Sequence, residues 1–227
     1  SGAVQASRWT PLPDGGFIYS FNGPHSLFVD TIRSCRVLML AHLLGHTLLG
    51  EGDRPEHLAR RALSHLSATA RYSIYYGEER DAYDLWGRTA HEILFNTNDG
   101  SYRCPSTQQG YSAFSTWTRG LAWAMCGFGE QLEFMQALPD ATFEETAGRA
   151  KLTQVLTRAA RSASAFFLAS DPAFASAAWR PASSSRAFTS RSAFASFSCA
   201  SFAPAPASAS AAAPAGAFSR HCFAAGR

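Results

Sequence analysis

Lysine, long apolar runs and several sequence motifs are rare or absent in this 227-residue sequence, and most of these absences exclude a class of protein or site. Lys151 is the only lysine beside 19 arginines, which we interpret as the base-composition bias of a GC-rich gene. The longest apolar run, Val37 to Leu44, is interrupted by His42 and is too short to span a bilayer, so no membrane partner is predicted. No positively charged segment precedes an apolar stretch near the start, so no signal peptide is visible.

Ligand sets for metals and nucleotides are also missing. The five cysteines are odd in number and show no C-x-x-C spacing, which argues against a disulfide framework or a zinc module. His42 and His46 stand four residues apart, but neither an HExxH motif nor a third ligand accompanies them, so no metal is predicted. Without a glycine-rich phosphate loop or a GxSxG motif, no cofactor and no serine-hydrolase chemistry is predicted.

The composition changes sharply after about residue 170. Residues 161–227 contain 23 Ala, 15 Ser and nine Phe but no Val, Ile, Lys, Glu, Asn, Gln or Tyr. A packed core needs branched aliphatic residues, so we expect 171–227 to be a low-complexity tail that does not pack and that promotes aggregation. It is interpreted as a non-homologous or frameshifted end, with a genuine low-complexity tail as the alternative. The six arginines of residues 161–227 are scattered singly, so a nucleic-acid partner is not predicted.

Residues 1–170 have the composition of an ordinary globular domain, and their patterning predicts a mainly helical fold. The apolar spacing predicts helices over about 26–49, 53–75, 112–138 and 141–170. Short strands at about 92–95 and 101–104, separated by Asn98-Asp99-Gly100, predict a β-hairpin. The first methionine is Met39, and we expect the chain to be a fragment.

Asp30 is the most informative single residue, because a carboxyl group there stands among the apolar residues Leu27, Phe28, Val29 and Ile32. One interpretation is structural, with Asp30 paired to Arg33 at a spacing of three residues on a helix. The other is functional, because burial would raise the pKa of Asp30 towards the range that a general acid needs.

A second group of candidate residues follows in Gln109-Gly-Tyr-Ser and Trp117-Thr-Arg119-Gly-Leu-Ala-Trp123. Indole faces stack on sugar rings, a guanidinium binds a carboxylate through two parallel hydrogen bonds, and a glutamine bridges hydroxyl groups. The combination therefore suits recognition of a sugar acid. The alternative is a helix with aromatic core residues and a surface arginine.

Three segments of the sequence resemble glycoside hydrolase family 88, the unsaturated glucuronyl hydrolases. They are NGPHSLFVDTIRS around Asp30, QQGYSAFSTWTRGLAWAMCGF from Gln108, and, between them, YYGEERDAYDLWGRTAHEILFNTNDGSYRCP, which is similar to a bacterial branch. The resemblance covers about residues 10–165 and implies that 1–170 form part of an (α/α)6 barrel with a small β-hairpin insertion. Arg119-Gly-Leu-Ala-Trp123 is nearer the glucuronyl pattern than that of the related unsaturated rhamnogalacturonyl hydrolases.

The resemblance also implies a reaction, a partner and roles for residues. Family members hydrate the C4=C5 double bond of an unsaturated uronic acid at the non-reducing end of an oligosaccharide, and the product then opens and releases the sugar. Asp30 matches the catalytic acid/base, and the match to the substrate-binding motif consists of Gln109, Trp117, Arg119 and Trp123. Gln108 stands where the family has His, and a second active-site Asp is expected on an earlier helix. We therefore expect an incomplete copy with little or no hydration activity, and a cytoplasmic protein. A non-catalytic carbohydrate-binding protein is the alternative.

Overall fold

The computed structural model describes residues 1–144 and 146–170. The helices are Gly2–Ser7 (α1), Arg36–Leu43 (α2), Leu58–Tyr72 (α3), Thr118–Ala137 (α4) and Arg149–Ser170 (α5). The strands are Trp9–Leu12 (β1), Gly15–Ile18 (β2), Ser26–Phe28 (β3), Leu48–Leu49 (β4), Pro55–Glu56 (β5), Glu92–Phe95 (β6) and Tyr102–Ser106 (β7). Short 3-10 helices are Val29–Cys35, Glu51–Asp53, Glu79–Asp81 and Asp140–Phe143. The tail predicted over 171–227 lies outside the described residues.

Helices dominate the described residues, but the all-α prediction with one hairpin holds only in part. The strands form three small sheets: the pair β1-β2, the pair β4-β5, and a three-stranded antiparallel sheet in the order β3-β6-β7. The predicted helices that correspond to α3, α4 and α5 are present with shorter bounds. Within the described part of the chain, no helix is long and apolar enough to cross a membrane.

The helix predicted over 26–49 is wrong at both ends. Ser26–Phe28 form β3 instead, because they pair with β6, a strand more than sixty residues away in the sequence. The 3-10 helix that follows buries Val29, Ile32 and Cys35, a spacing of three residues that matches three residues per turn. α2 then ends before Gly45, which has a positive φ of 70°. The amides of Gly45 and His46 bond back to the carbonyls of His42 and Ala41, the Schellman arrangement that terminates helices.

The predicted hairpin is confirmed as β6 and β7, joined across Asn98-Asp99-Gly100. Its strand β6 also pairs with β3, so the hairpin is part of a larger sheet. In this sheet Phe28 lies opposite Glu92, and Glu92 lies opposite Ser106. The end of β3, the start of β6 and the end of β7 therefore meet at one end of the sheet.

Helix α4 packs directly on the 3-10 helix Val29–Cys35 through two glycines. A Cβ at Gly120 would lie 3.2 Å from Cγ1 of Val29, and a Cβ at Gly127 would overlap with the Ile32 side chain. Both glycines are buried, and they lie seven residues apart on the same face of α4. This close approach brings the first turn of α4 beside the residue that precedes Asp30.

Candidate functional site

The three-stranded sheet brings the candidate site residues together at one of its ends. Asp30 follows β3, His91 precedes β6, and Gln109 lies in the loop after β7. The backbone amide of Val29 donates to the carbonyl of His91 at 3.0 Å, which joins the first two segments beyond the strands themselves. Asp30 is therefore not in the first turns of an α-helix, as the sequence suggested, but is the second residue of a 3-10 helix directly after a strand.

Four of the five predicted site residues contact one another. The guanidinium carbon of Arg119 lies 4.5 Å from the ring centroid of Trp117 and 5.6 Å from that of Trp123. The two indole rings meet edge to face, with their centroids 5.5 Å apart. Nη2 of Arg119 also donates a hydrogen bond to Oε1 of Gln109. Arg119 and Trp123 share one face of α4 at a spacing of four residues, and Trp117 caps its start.

Asp30 joins this group through electrostatics. Burial raises the pKa of its carboxyl group, and this effect outweighs the backbone hydrogen bonds from Asp30 and Thr31 and the attraction of Arg119, all of which lower it. Oδ1 of Asp30 is buried and has no hydrogen-bond partner in the structure. The structural interpretation of Asp30 is not supported, because Arg33 pairs with Glu130 at 3.2 Å instead. The carboxyl group is thus kept closer to its neutral, proton-donating form.

His91 belongs to the same group, although the sequence gave no reason to select it. Its ring lies 4.2 Å from that of Trp117, and its Nδ1 accepts a hydrogen bond from the backbone amide of Gln108 at 3.3 Å. Nε2 is buried without a hydrogen-bond partner. Burial lowers the pKa of His91, Glu92 raises it, and Arg119 lowers it further. The neutral imidazole is therefore favoured. The contact between His91 and Gln108 cannot be predicted from the sequence, because it depends on the pairing of β6 with β7.

The site is open on one side. Gln109 and Arg119 are exposed, and the Trp117 and Trp123 side chains are half-buried. Tyr111 and Phe114, in the loop between Gln109 and Trp117, are 99% and 67% exposed. A solute can thus reach the Arg119 guanidinium, the Gln109 amide and the two indole rings from the solvent. Among the described residues, no group of three or more His, Cys, Asp or Glu side chains could hold a metal ion.

Comparisons with known proteins connect the chain to others by structure only. No family model matches the sequence, and no curated protein matches it. Two solved structures are similar in fold. One is an unsaturated glucuronyl hydrolase complex with dGlcA-Glc-Rha-Glc, with 22% sequence identity and a TM-score of 0.50. The other is the unsaturated glucuronyl hydrolase of Bacillus sp. GL1, responsible for the degradation of glycosaminoglycan, with 20% identity and a TM-score of 0.50.

Each of these similarities covers 72% of this chain and 37% of the other chain. The chain thus spans little more than a third of the length of the structures that it resembles. At this level of identity the comparison establishes a similarity of fold alone, and it leaves the reaction and the residues to be argued from the site itself.

Proposed function

We propose that the residues around Asp30 and Arg119 form the uronate-binding and hydrating site of a glycan-degrading hydrolase, within part of an (α/α)6 barrel formed by residues 1–170. The observation that carries the proposal is the placement of Arg119 beside two indole rings, hydrogen-bonded to Gln109 and close enough to Asp30 to act on its pKa. A cation beside aromatic rings suits a sugar that carries a carboxylate.

The proposed reaction adds water across the C4=C5 bond of an unsaturated uronic acid at the non-reducing end of an oligosaccharide. Asp30, whose neutral form is favoured because burial raises its pKa, gives its proton to C4. Water adds its oxygen to C5 and returns a proton to the Asp30 carboxylate, so the acid is regenerated. The C5 hemiketal opens to a ketone, the ring oxygen becomes a hydroxyl group on C1, and this hemiacetal releases the remaining sugar as an alcohol.

The other side chains bind and orient in this proposal. Arg119 holds the substrate carboxylate through parallel hydrogen bonds, and the faces of Trp117 and Trp123 cover the ring. Gln109, already a hydrogen-bond acceptor for Arg119, bridges a substrate hydroxyl group. Holding the double bond and the water beside one acid in a fixed geometry contributes to the rate enhancement.

A carbohydrate-binding protein without turnover is the second candidate, and the exposure of Gln109 and Arg119 favours it, because an open site does not exclude water from an intermediate. An unsaturated rhamnogalacturonide is the alternative substrate within the first candidate. Offering glucuronyl and rhamnogalacturonyl unsaturated oligosaccharides in the same assay distinguishes these two substrates.

The test follows the ultraviolet absorbance of the conjugated double bond, which hydration removes. Because we expect little turnover, the 227-residue chain and the Δ4,5-unsaturated glucuronyl disaccharide from hyaluronan are mixed in equal amounts and followed for hours. Loss of absorbance with the wild type and with Asp53→Asn, an exposed acid changed as a control, but not with Asp30→Asn, supports the hydrolase. Binding without any loss of absorbance supports the second candidate, and no binding contradicts both.

A further inference from the structure

Glu92 is a buried carboxylate at the end of the sheet where the site lies. It is the first residue of β6 and is fully buried. Its Oε1 accepts hydrogen bonds from the Ser26 hydroxyl and the Asn22 side-chain amide, both at 2.5 Å, and its Oε2 accepts one from the Gln108 side-chain amide at 3.0 Å.

This carboxylate is charged although it is buried. Burial alone would raise the pKa of Glu92, but hydrogen bonds from Ser26, Gln108, Asn22 and Ser106 lower it, and the lowering prevails. All four donors are neutral side chains. A buried ion of this kind is tolerated only while each donor is held in place, because an unmade hydrogen bond to a buried charge costs more than one to a neutral group.

The donors come from two separate segments, and each segment leads to a predicted site residue. Asn22 and Ser26 lie 70 and 66 residues before Glu92 and lead through β3 to Asp30. Gln108 lies 16 residues after Glu92 and directly precedes Gln109. Backbone pairing fixes β6 against β3 and β7 as far as Phe28, Glu92 and Ser106, and the hydrogen bond from Val29 to His91 continues it by one residue. The Glu92 side chain adds a separate link, from β3 and the residues before it to the loop that bears Gln109.

We propose that Glu92 is a positioning residue, which fixes the loop bearing Gln109 relative to the segment bearing Asp30. The importance of this geometry for binding rests on the proposed function. The positioning itself does not, because it concerns only contacts within the chain.

Three variants of the full chain test the role of Glu92. Glu92→Gln keeps the shape but replaces one acceptor oxygen with an amide donor, so the donors from Asn22, Ser26 and Gln108 are left with one acceptor oxygen instead of two. Glu92→Gln combined with Gln108→Glu exchanges donor and acceptor and restores the pair. Gln108→Leu changes an exposed residue, so it leaves the burial of Glu92 intact if the first variant folds poorly. Glu130→Gln, at the partly exposed ion pair with Arg33, is the control.

The first measurement needs no ligand. Hydrogen exchange of the backbone amides of Gln108 and Gly110, which bond to His91 and to the Thr107 hydroxyl, reports the order of the loop. We expect exchange to become roughly tenfold to a hundredfold faster in Glu92→Gln and in Gln108→Leu, and to recover in the double variant. The amides of α3, which supplies none of the donors to Glu92, should change far less.

The second measurement is affinity for the Δ4,5-unsaturated glucuronyl disaccharide from hyaluronan. We expect it to weaken about tenfold or more in Glu92→Gln and to recover in the double variant, with Glu130→Gln equal to the wild type. Unchanged loop exchange in both single variants, loss spread equally over α3 and the loop, or no recovery in the double variant would overturn the proposal. If the wild type does not bind the disaccharide, the proposed function fails, and the exchange data still decide the positioning role.

Discussion

Gly127 of α4 lies against Ile32 of the 3-10 helix so closely that a methyl group on Gly127 would overlap with the isoleucine side chain. This contact, with that of Gly120 on Val29, sets the distance between the segment that carries Asp30 and the helix that carries Arg119. The geometry of the proposed site thus depends on the absence of two side chains.

Gly127→Ala should destabilise the protein, because the added methyl group has no space and the core must shift. We expect a loss of about 1–3 kcal/mol in the free energy of unfolding, measured with urea. Gly129→Ala is the matched control in the same helix, since nothing lies within 4 Å of a Cβ there. It should stabilise by about 0.5–1 kcal/mol through helix propensity alone. Equal effects of the two changes would show that α4 does not pack on Ile32 in this way.

Asp30→Asn should raise the melting temperature near neutral pH. The folded protein raises the pKa of Asp30 above its ordinary value of 3.8, so the contribution of this group to stability is complete below that value and is lost as pH rises through the raised pKa. Asparagine carries no charge and avoids this loss. The difference from the wild type should therefore shrink below about pH 4. Asp53→Asn, at an exposed position, should show no such dependence, and a lower melting temperature for Asp30→Asn at neutral pH would contradict the burial argument.

His65 should make the protein less stable as the solution becomes acidic. It is fully buried, and burial lowers its pKa to about 3 from the ordinary 6.5. Its Nδ1 accepts a hydrogen bond from the amide of Ile18 at 3.1 Å, so the fold requires the neutral ring. Stability from this group is complete above about pH 6.5 and falls by about 1.4 kcal/mol per pH unit at lower pH, towards pH 3.

Urea unfolding at several pH values between about 6.5 and 5 measures this slope. His65→Gln, whose amide oxygen can still accept from Ile18, should be less dependent on pH than the wild type. His46→Gln changes an exposed histidine and should keep the wild-type slope. A wild-type slope that persists in His65→Gln would assign the acid sensitivity to another group.

What could be predicted from the sequence was mainly local. The hairpin β6-β7 is specified by Asn98-Asp99-Gly100, where Gly100 has a positive φ of 71° and the Asp99 carboxylate accepts from the Ser101 amide. The end of α4 is also specified locally, because Pro139 disfavours a helical conformation at Leu138, the residue before it. The motif residues after β7 lie within 15 positions of one another, so their proximity follows from the chain itself.

What could not be predicted depends on partners far away in the sequence. Ser26–Phe28 have the apolar pattern of a buried helix, but pairing with β6 makes them a strand. His91 and Glu92 are a weak signal as a dipeptide, because their contacts come from Trp117, Ser26 and Gln108, which only the sheet brings together. Gly45, whose positive φ ends α2, could not be distinguished in the sequence from Gly50 and Gly52 as the end of the helix.

The central claim is that Arg119 binds the carboxylate of an unsaturated uronic acid, and a titration followed by tryptophan fluorescence tests it most directly. The ligands are the Δ4,5-unsaturated glucuronyl disaccharide and its methyl ester, and the proteins are the wild type, Arg119→Lys and the exposed control Arg161→Lys. We predict that Arg119→Lys binds the acid about tenfold more weakly than the wild type and binds the ester about equally, because a lysine cannot make the parallel hydrogen bonds to a carboxylate. Equal affinity of the wild type and Arg119→Lys for the acid, or no binding by either, would contradict the account.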